Sequence, residues 1–359
     1  MLSLGVTFAE VNVTGTLDQG LANIKGTLAG VETDKYSGLM SAYSSSFITF
    51  SGNEDLGSGL KVNFKFENKL DLNGGSLLGS NAVPTYNNSG LVNGFDTAWN
   101  SKLTGGQNRE AWVGISGDFG EVKLGTQYTP AFSTAAGTDP QGVDNLLGWS
   151  PLLVLAGNSA ISNSQALTYV SPNLNGFSIE LQGTYGGANT AADAGSSAGD
   201  GAGLSLNYAS GPFTAGYAQH QDTYSAAGTL SGPFGSLGAS GNEAAVGDSV
   251  KTEVIALTYD LGIAKLTYLN TASTVNNDKV RVDTIGVNIP LGAFTLGYSN
   301  SAGTTKAASH ADVSTQGQQL GVYYSFSKRT NAYFLYSTLK DTTHDVDVTS
   351  SALGIKHSF

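Results

Sequence analysis

Asn108-Arg109-Glu110-Ala111-Trp112-Val113-Gly114-Ile115, a tight Gly117-Asp118-Phe119-Gly120 turn, and Glu121-Val122-Lys123-Leu124-Gly125-Thr126-Gln127-Tyr128 read as two strands joined by a short turn. Val122 and Leu124 share one parity, Glu121 and Lys123 the other. That is the period of a strand with one apolar and one wet face. A long non-alternating segment, Thr129 to Ser164, follows and holds Asp139-Pro140, Asp144, Trp149-Ser150-Pro151 and the apolar run Leu152-Leu153-Val154-Leu155. Alternation resumes in Ala166-Leu167-Thr168-Tyr169-Val170, turns at Ser171-Pro172-Asn173-Leu174-Asn175-Gly176, and continues through Phe177-Ser178-Ile179-Glu180-Leu181-Gln182. Two strand pairs therefore flank one long insertion.

The same rhythm extends in both directions. Leu60, Val62, Phe64 and Phe66 alternate with Lys61, Asn63, Lys65 and Glu67. Segments of similar length recur to the C-terminus, joined alternately by short turns and by long Gly-, Asn- and Ser-rich loops such as 71–107 and 222–248. The first strand is read as Glu10 to Gln19, with a loop from Gly20 to Ser44 before the next. Seven short turns joining strand pairs, with one unpaired strand at each terminus, give sixteen strands.

Composition narrows what such a chain can be. Charged residues are 13% of its 359 residues, against roughly 25% in ordinary soluble domains, and Gly (48), Tyr (16) and Phe (15) are abundant. Apolar runs stay far below the ~18 residues of a membrane-spanning helix. The absence of Cys rules out disulfides and thiolate metal sites. A net charge of -11 leaves no footprint for nucleic acid. Unequal turns with an even strand count imply an all-β fold, a 16-stranded antiparallel transmembrane β-barrel. In lipid every backbone N–H and C=O must be paired, so the sheet must close. Tyr128, Tyr259, Tyr298 and Phe326, at strand ends, suit the interfacial aromatic girdles. A soluble sandwich would need a second layer and more Leu, Ile and Val. Met1 to Ala9 reads as a signal-peptide remnant with Thr7-Phe8-Ala9 as cleavage site, leaving a single barrel domain over 10–359.

Several motifs carry a family resemblance. Val11-Asn12-Val13-Thr14-Gly15-Thr16-Leu17-Asp18, Gly52-Asn53-Glu54-Asp55-Leu56-Gly57-Ser58-Gly59-Leu60-Lys61, Asn108 to Pro130, Tyr169-Val170-Ser171-Pro172-Asn173 and Gly354-Ile355-Lys356-His357-Ser358-Phe359 stand in order along the chain. Together they resemble the general diffusion porins of Gram-negative outer membranes, most of all the β-proteobacterial branch. The resemblance implies a homotrimer with short periplasmic turns, long extracellular loops and a third loop, about 129–164, folded into each lumen as a constriction. It implies outer-membrane lipid and lipopolysaccharide, small hydrophilic solutes and ions, and the barrel-assembly machinery as partners, the last through a C-terminal signal ending in Phe359. No cofactor is implied.

The departures from the family pattern bear on selectivity. Thr16, Phe47, Thr126 and the Thr168-Tyr169-Val170 segment stand where the family commonly carries basic residues, and only three Arg occur: Arg109, Arg281 and Arg329. Arg109 matches a family Arg near the constriction. Alternation puts Lys61, Lys65 and Lys123 on the lumen side with Glu67 and Glu121. Thr126 shares the lipid-facing parity of Val122 and Leu124, so a lumen role requires a bulge near Gly125. Asp139 and Asp144 are candidates for the loop acids, or else cap turns. The missing basic positions and the -11 charge together suggest weak cation selectivity. A substrate-selective channel with Trp149 along its path, and a structural or adhesive surface protein, are the competing readings. His344 among Asp341, Asp345 and Asp347 suggests either a divalent-cation site or a solvated loop. No motif frames a catalytic nucleophile.

Overall fold

The computed structural model describes residues 10–70, 72, 83–86, 92–96, 108–142, 161–186, 200–223, 231–232, 235–236, 247–306 and 312–359. In chain order the elements are β1 (Glu10–Leu28), β2 (Val31–Met40), β3 (Phe47–Gly57), β4 (Leu60–Lys69), β5 (Val83–Tyr86), β6 (Val92–Asp96), β7 (Asn108–Gly117) and β8 (Gly120–Tyr128). The helix α1 (Pro130–Ala136) follows, then β9 (Ser162–Val170), β10 (Phe177–Thr184), β11 (Gly201–Ser210) and β12 (Phe213–Thr223). After the short β13 (Ser231–Gly232) and β14 (Gly235–Ser236) come β15 (Ser249–Asp260), β16 (Lys265–Val275), β17 (Asp278–Leu291), β18 (Phe294–Lys306), β19 (Val313–Ser325), β20 (Thr330–Asp341) and β21 (Val346–Ser358). The pairs β5–β6 and β13–β14 stand apart from the main sheet of 17 strands.

That sheet closes. β1 pairs with β21 from Thr16↔Ser358 to Leu28↔Val346. Its other edge is shared: Glu10–Thr16 pairs with β3 and Gly20–Leu28 with β2. β2 and β3 are therefore two halves of one stave, and the wall has the expected sixteen. The seam ends on a reciprocal backbone pair between Gly15 and Phe359, at 3.0 Å each way. A Cβ at Gly15 would stand 2.6 Å from the Phe359 ring, so this glycine is what lets the terminal aromatic lie over the first strand.

Each stave has a lipid row and an inner row, as the alternation requires. On β15, Ile255, Leu257 and Tyr259 are exposed outward, while Val250, Thr252, Val254 and Ala256 are buried inward. Aromatics gather at the short-turn end: Phe177 against Tyr208 at 4.5 Å and Phe294 against Tyr324 at 4.8 Å, with Tyr259 and Phe326 also exposed there. Tyr128 does not join such a girdle. Its hydroxyl is bonded inside the barrel to Arg109 and Glu67.

Gly20 to Ser44 is not a loop. β1 continues to Leu28, turns tightly at Ala29 and Gly30 (φ 49° and 78°), and returns as β2. Positive φ at both central residues matches the twist of the flanking strands. The continuation was hidden because its faces do not contrast: Ala22 and Ile24 point inward and are buried, while Leu21 points outward beside Asn23 and Lys25. Residues 1–9, read as a signal-peptide remnant, lie outside the described residues.

Candidate functional site: the inner wall and the loop folded against it

The insertion after β8 enters the lumen through a capped helix. Thr129 Oγ1 accepts the Phe132 N–H at 3.1 Å and Pro130 occupies the first turn, where its missing N–H costs nothing. Ala131, Phe132 and Ala135 of α1 are buried against Ala218, Val254, Ala256 and Leu269 of β12, β15 and β16. Beyond the helix, the Asn288 side-chain amide donates to Pro140 O at 2.7 Å and the Tyr323 hydroxyl donates to Gln141 Oε1 at 2.8 Å. Residues 130–142 thus cross the lumen along one side, touching β11, β12, β15, β16, β17, β18 and β19 in turn.

Glycines on that wall make the room. An added Cβ would stand 3.0 Å from Pro130 at Gly203, 2.8 Å from Thr134 at Gly216 and 2.9 Å from Gln141 at Gly297, and at Gly286 it would run into Pro140. The loop is seated in a track cut by missing side chains. A cavity of ≈ 340 Å³ remains between the helix and the wall, lined in part by Ser133, Thr134, Ser178 and Asn207.

The wall of β4, β7 and β8 is built differently. Its register places Glu67 opposite Glu110 and Asn68 opposite Asn108, so Arg109 is an extra residue on β7. A bulge of this kind turns neighbouring side chains to the same face, and both Arg109 and Glu110 are buried inward. Arg109 Nε lies 2.9 Å from Glu67 Oε1 and donates to the Tyr128 hydroxyl at 2.6 Å. Its guanidinium rests 4.8 Å from the centre of the Phe47 ring, a stacking that suits a flat, weakly hydrated cation. Lys65 pairs with Glu110 and, at 3.2 Å, with Glu67. Thr49 donates to Glu67 at 2.8 Å and the Trp112 indole N–H to Glu110 at 3.0 Å. Lys123 Nζ lies 5.3 Å from the Trp112 ring centre. Glu121 accepts from Asn63 at 2.9 Å, beside the exposed Lys61.

Of the residues singled out from sequence, Lys61, Lys65, Arg109 and Lys123 come together on adjacent inner rows. Thr126 does not. It is registered opposite Ala111, which faces Phe66, in the outer row. The bulge that could have turned it inward falls instead on β9: Gln127 faces Asn163 while Gly125 faces Ala166, and Gln165 takes φ 55°. Asp139 belongs to the turn seated on β17–β19, where its carboxylate accepts the Gln141 N–H at 2.9 Å, so it caps that turn. Asp144, Trp149 and Leu152–Leu155 lie outside the described residues. His344 is held by Asp341 at 2.7 Å inside the β20–β21 turn. Sequence reading missed the acidic partners Glu67 and Glu110 as neutralisers. Both were legible by parity, Glu67 with Lys65 and Glu110 with Trp112, and it is Arg109 whose inward turn depends on the bulge.

A family profile described as Gram-negative porin matches residues 2–344. Outer membrane porin protein 32 of Delftia acidovorans is 26% identical over 274 residues, which is 74% of this chain and 65% of that protein, just under two thirds of its length. Among solved structures, an anion-selective porin from Comamonas acidovorans has a TM-score of 0.73 at 21% identity, with 98% of this chain and 100% of that one covered. A trimer form of OmpT from Vibrio cholerae has a TM-score of 0.60 at 15% identity, with 98% and 100% covered.

Proposed function

The chain belongs to the Gram-negative porin family, whose members sit in the outer membrane, and we propose that it forms a water-filled channel there for passive diffusion of ions and small hydrophilic solutes. One observation carries this reading: charged side chains on the inside of a closed barrel. Lys61 and Lys65 keep solvent exposure on the face turned away from lipid, and ions there require water. The loop over 130–142, crossing the same lumen, narrows the path without needing a moving part.

The channel discriminates weakly between anions and cations. Lys61, Lys65, Lys69, Arg109 and Lys123 are nearly balanced on the inner rows by Glu67, Glu110, Glu121 and Glu180, and the two most buried cations are tied to carboxylates. The cation preference expected from the net charge of -11 gains no support from this wall, since the acidic surplus is not concentrated on it. The similar porin from Comamonas acidovorans is anion-selective, the opposite sign. A homotrimer is the assembly we propose, on the trimer form of the Vibrio cholerae protein. Lipopolysaccharide around the wall and the assembly machinery at Phe359 are the partners the reading adds.

Planar-bilayer recording in a salt gradient tests all three parts. The expected result is stepwise conductance closing in three equal increments, linear in solute concentration, with a small reversal potential. Silence would favour a structural role, saturation by one solute a selective channel, and a large reversal potential would break the charge-balance argument.

A further inference from the structure

The second stave is broken where it passes the charged wall. β2 ends at Met40 and β3 starts at Phe47, and the six residues between leave the ladder and turn into the barrel. Asp18 on the inner row of β1, with no exposed surface, holds them there. Its carboxylate accepts the N–H of Ala42 at 3.2 Å, the N–H of Ser44 at 3.0 Å and the Tyr333 hydroxyl at 2.7 Å. Its own backbone is used as well: Ser46 Oγ accepts the Asp18 N–H at 2.9 Å, and Ser41 Oγ donates to Asp18 O at 2.9 Å. A buried carboxylate is costly unless its oxygens are satisfied. Here three donors converge on two oxygens, and all but the tyrosine come from the inserted segment.

The consequence is the placement of Tyr43. Its ring sits 4.8 Å from Tyr323 and 5.3 Å from Tyr333, with Lys356 Nζ 4.7 Å from its centre. A Cβ on Gly142, at the end of the described loop, would stand 3.7 Å from this ring. On its other flank the insert meets the charged wall: Ser46 O accepts the Leu70 N–H at 2.8 Å, and Phe47 lies under Arg109. The insert therefore joins the described end of the folded loop, at Gly142, to the paired charges on β4 and β7.

We propose that Ser41–Ser46 is a second constriction element, facing the folded loop, that sets the size limit of the channel through Tyr43, and that Asp18 is its positioning residue. The inference rests on the diffusion-pore reading. Asp rather than Asn is required because an amide nitrogen at Oδ2 would face the Ser44 N–H, donor against donor. Without the carboxylate the insert is released from β1, and Tyr43 no longer keeps a fixed place at the opening.

The test uses the full chain in planar bilayers and exploits the absence of Cys. Ser45 is 2% exposed, so a Ser45→Cys thiol should resist a water-soluble maleimide. Adding Asp18→Asn should raise its labelling rate about tenfold or more, the shift expected for losing a hydrogen bond to a charged acceptor. Tyr43→Ala should raise single-channel conductance and admit larger neutral polyethylene glycols, and Asp18→Asn should make the open-channel current fluctuate where the wild type is steady. Tyr43→Ala keeps the proposal testable should Asp18→Asn fail to assemble. A conducting wild type with unchanged conductance and polymer cut-off in folded Tyr43→Ala overturns the insert alone. A silent wild type overturns the pore reading and this proposal with it.

Discussion

Two inner walls face each other across this barrel, and the same strand period built both. On β4, β7 and β8 the inward positions include Lys61, Lys65, Glu67, Arg109, Glu110 and Lys123, which stay wet or pair among themselves. On β11, β12, β17 and β18 they include Gly203, Gly216, Gly286 and Gly297, which receive the folded loop. One wall projects charge into the lumen and the other withdraws its side chains so that a segment can lie against it. An inward position is therefore not a chemical class. What the strand alternation establishes is only that such a position avoids lipid; what fills it depends on whether water or the chain itself lies opposite.

The largest expected effect tests the premise that outer rows meet lipid on both walls. Leu124 is 56% exposed and adjoins the inward Lys123. Leu124→Arg should cost about 2–4 kcal/mol if it lies near the membrane midplane, enough to cut the yield of assembled barrel in outer-membrane fractions. The charge of Lys123 one residue away is tolerated, so normal assembly of Leu124→Arg would mean the rows are assigned to the wrong faces. Next in size is a change on the glycine wall. Gly286→Val puts side-chain atoms where Pro140 packs, an overpacking cost of about 1–3 kcal/mol. The loop should be the part that yields, since the strands are held by full ladders. Altered conductance with a normal yield of assembled barrel is expected; unchanged conductance would show that the Pro140 contact does not seat the loop.

How far these walls were legible from sequence follows from the same contrast. The barrel, its sixteen staves and the short turns could be read because lipid enforces alternation and closure on nearly every strand. Lys61, Lys65 and Lys123 were legible by parity alone. The failures share a cause: each depends on a break in the period. Arg109 turns inward through a bulge, Thr126 stays outward because the matching bulge lies on β9, and Ser41–Ser46 is an interruption inside what reads as a loop. The inner face of β1 beyond Gly20 was invisible for another reason: Ala22 and Ile24 are buried inside the barrel, opposite the polarity expected of a wet lumen. The glycine track could not be recognised either, because a Gly that receives a loop looks like any other among 48.

The smallest displacement is one of reversal potential, and it is the most informative about function; it lies on the charged wall. Glu67 is the hub: Arg109 at 2.9 Å, Lys65 at 3.2 Å, Thr49 at 2.8 Å and the Tyr128 hydroxyl at 3.2 Å all converge on its two oxygens. Glu67→Gln keeps the shape and removes one negative charge, leaving Arg109 without that carboxylate while Lys65 retains Glu110. The local balance then tips positive, so the reversal potential in a salt gradient should move toward anion preference. Arg109→Gln should move it the opposite way by a similar amount. Both shifts should shrink as salt rises, because the screening length falls from about 10 Å at 0.1 M to about 3 Å at 1 M. Equal and opposite displacements from a small wild-type value would mean that the two charges cancel in the field the solute feels. A shift from Arg109→Gln with none from Glu67→Gln would mean that Glu67 is screened from the path, and that the charged wall is basic after all.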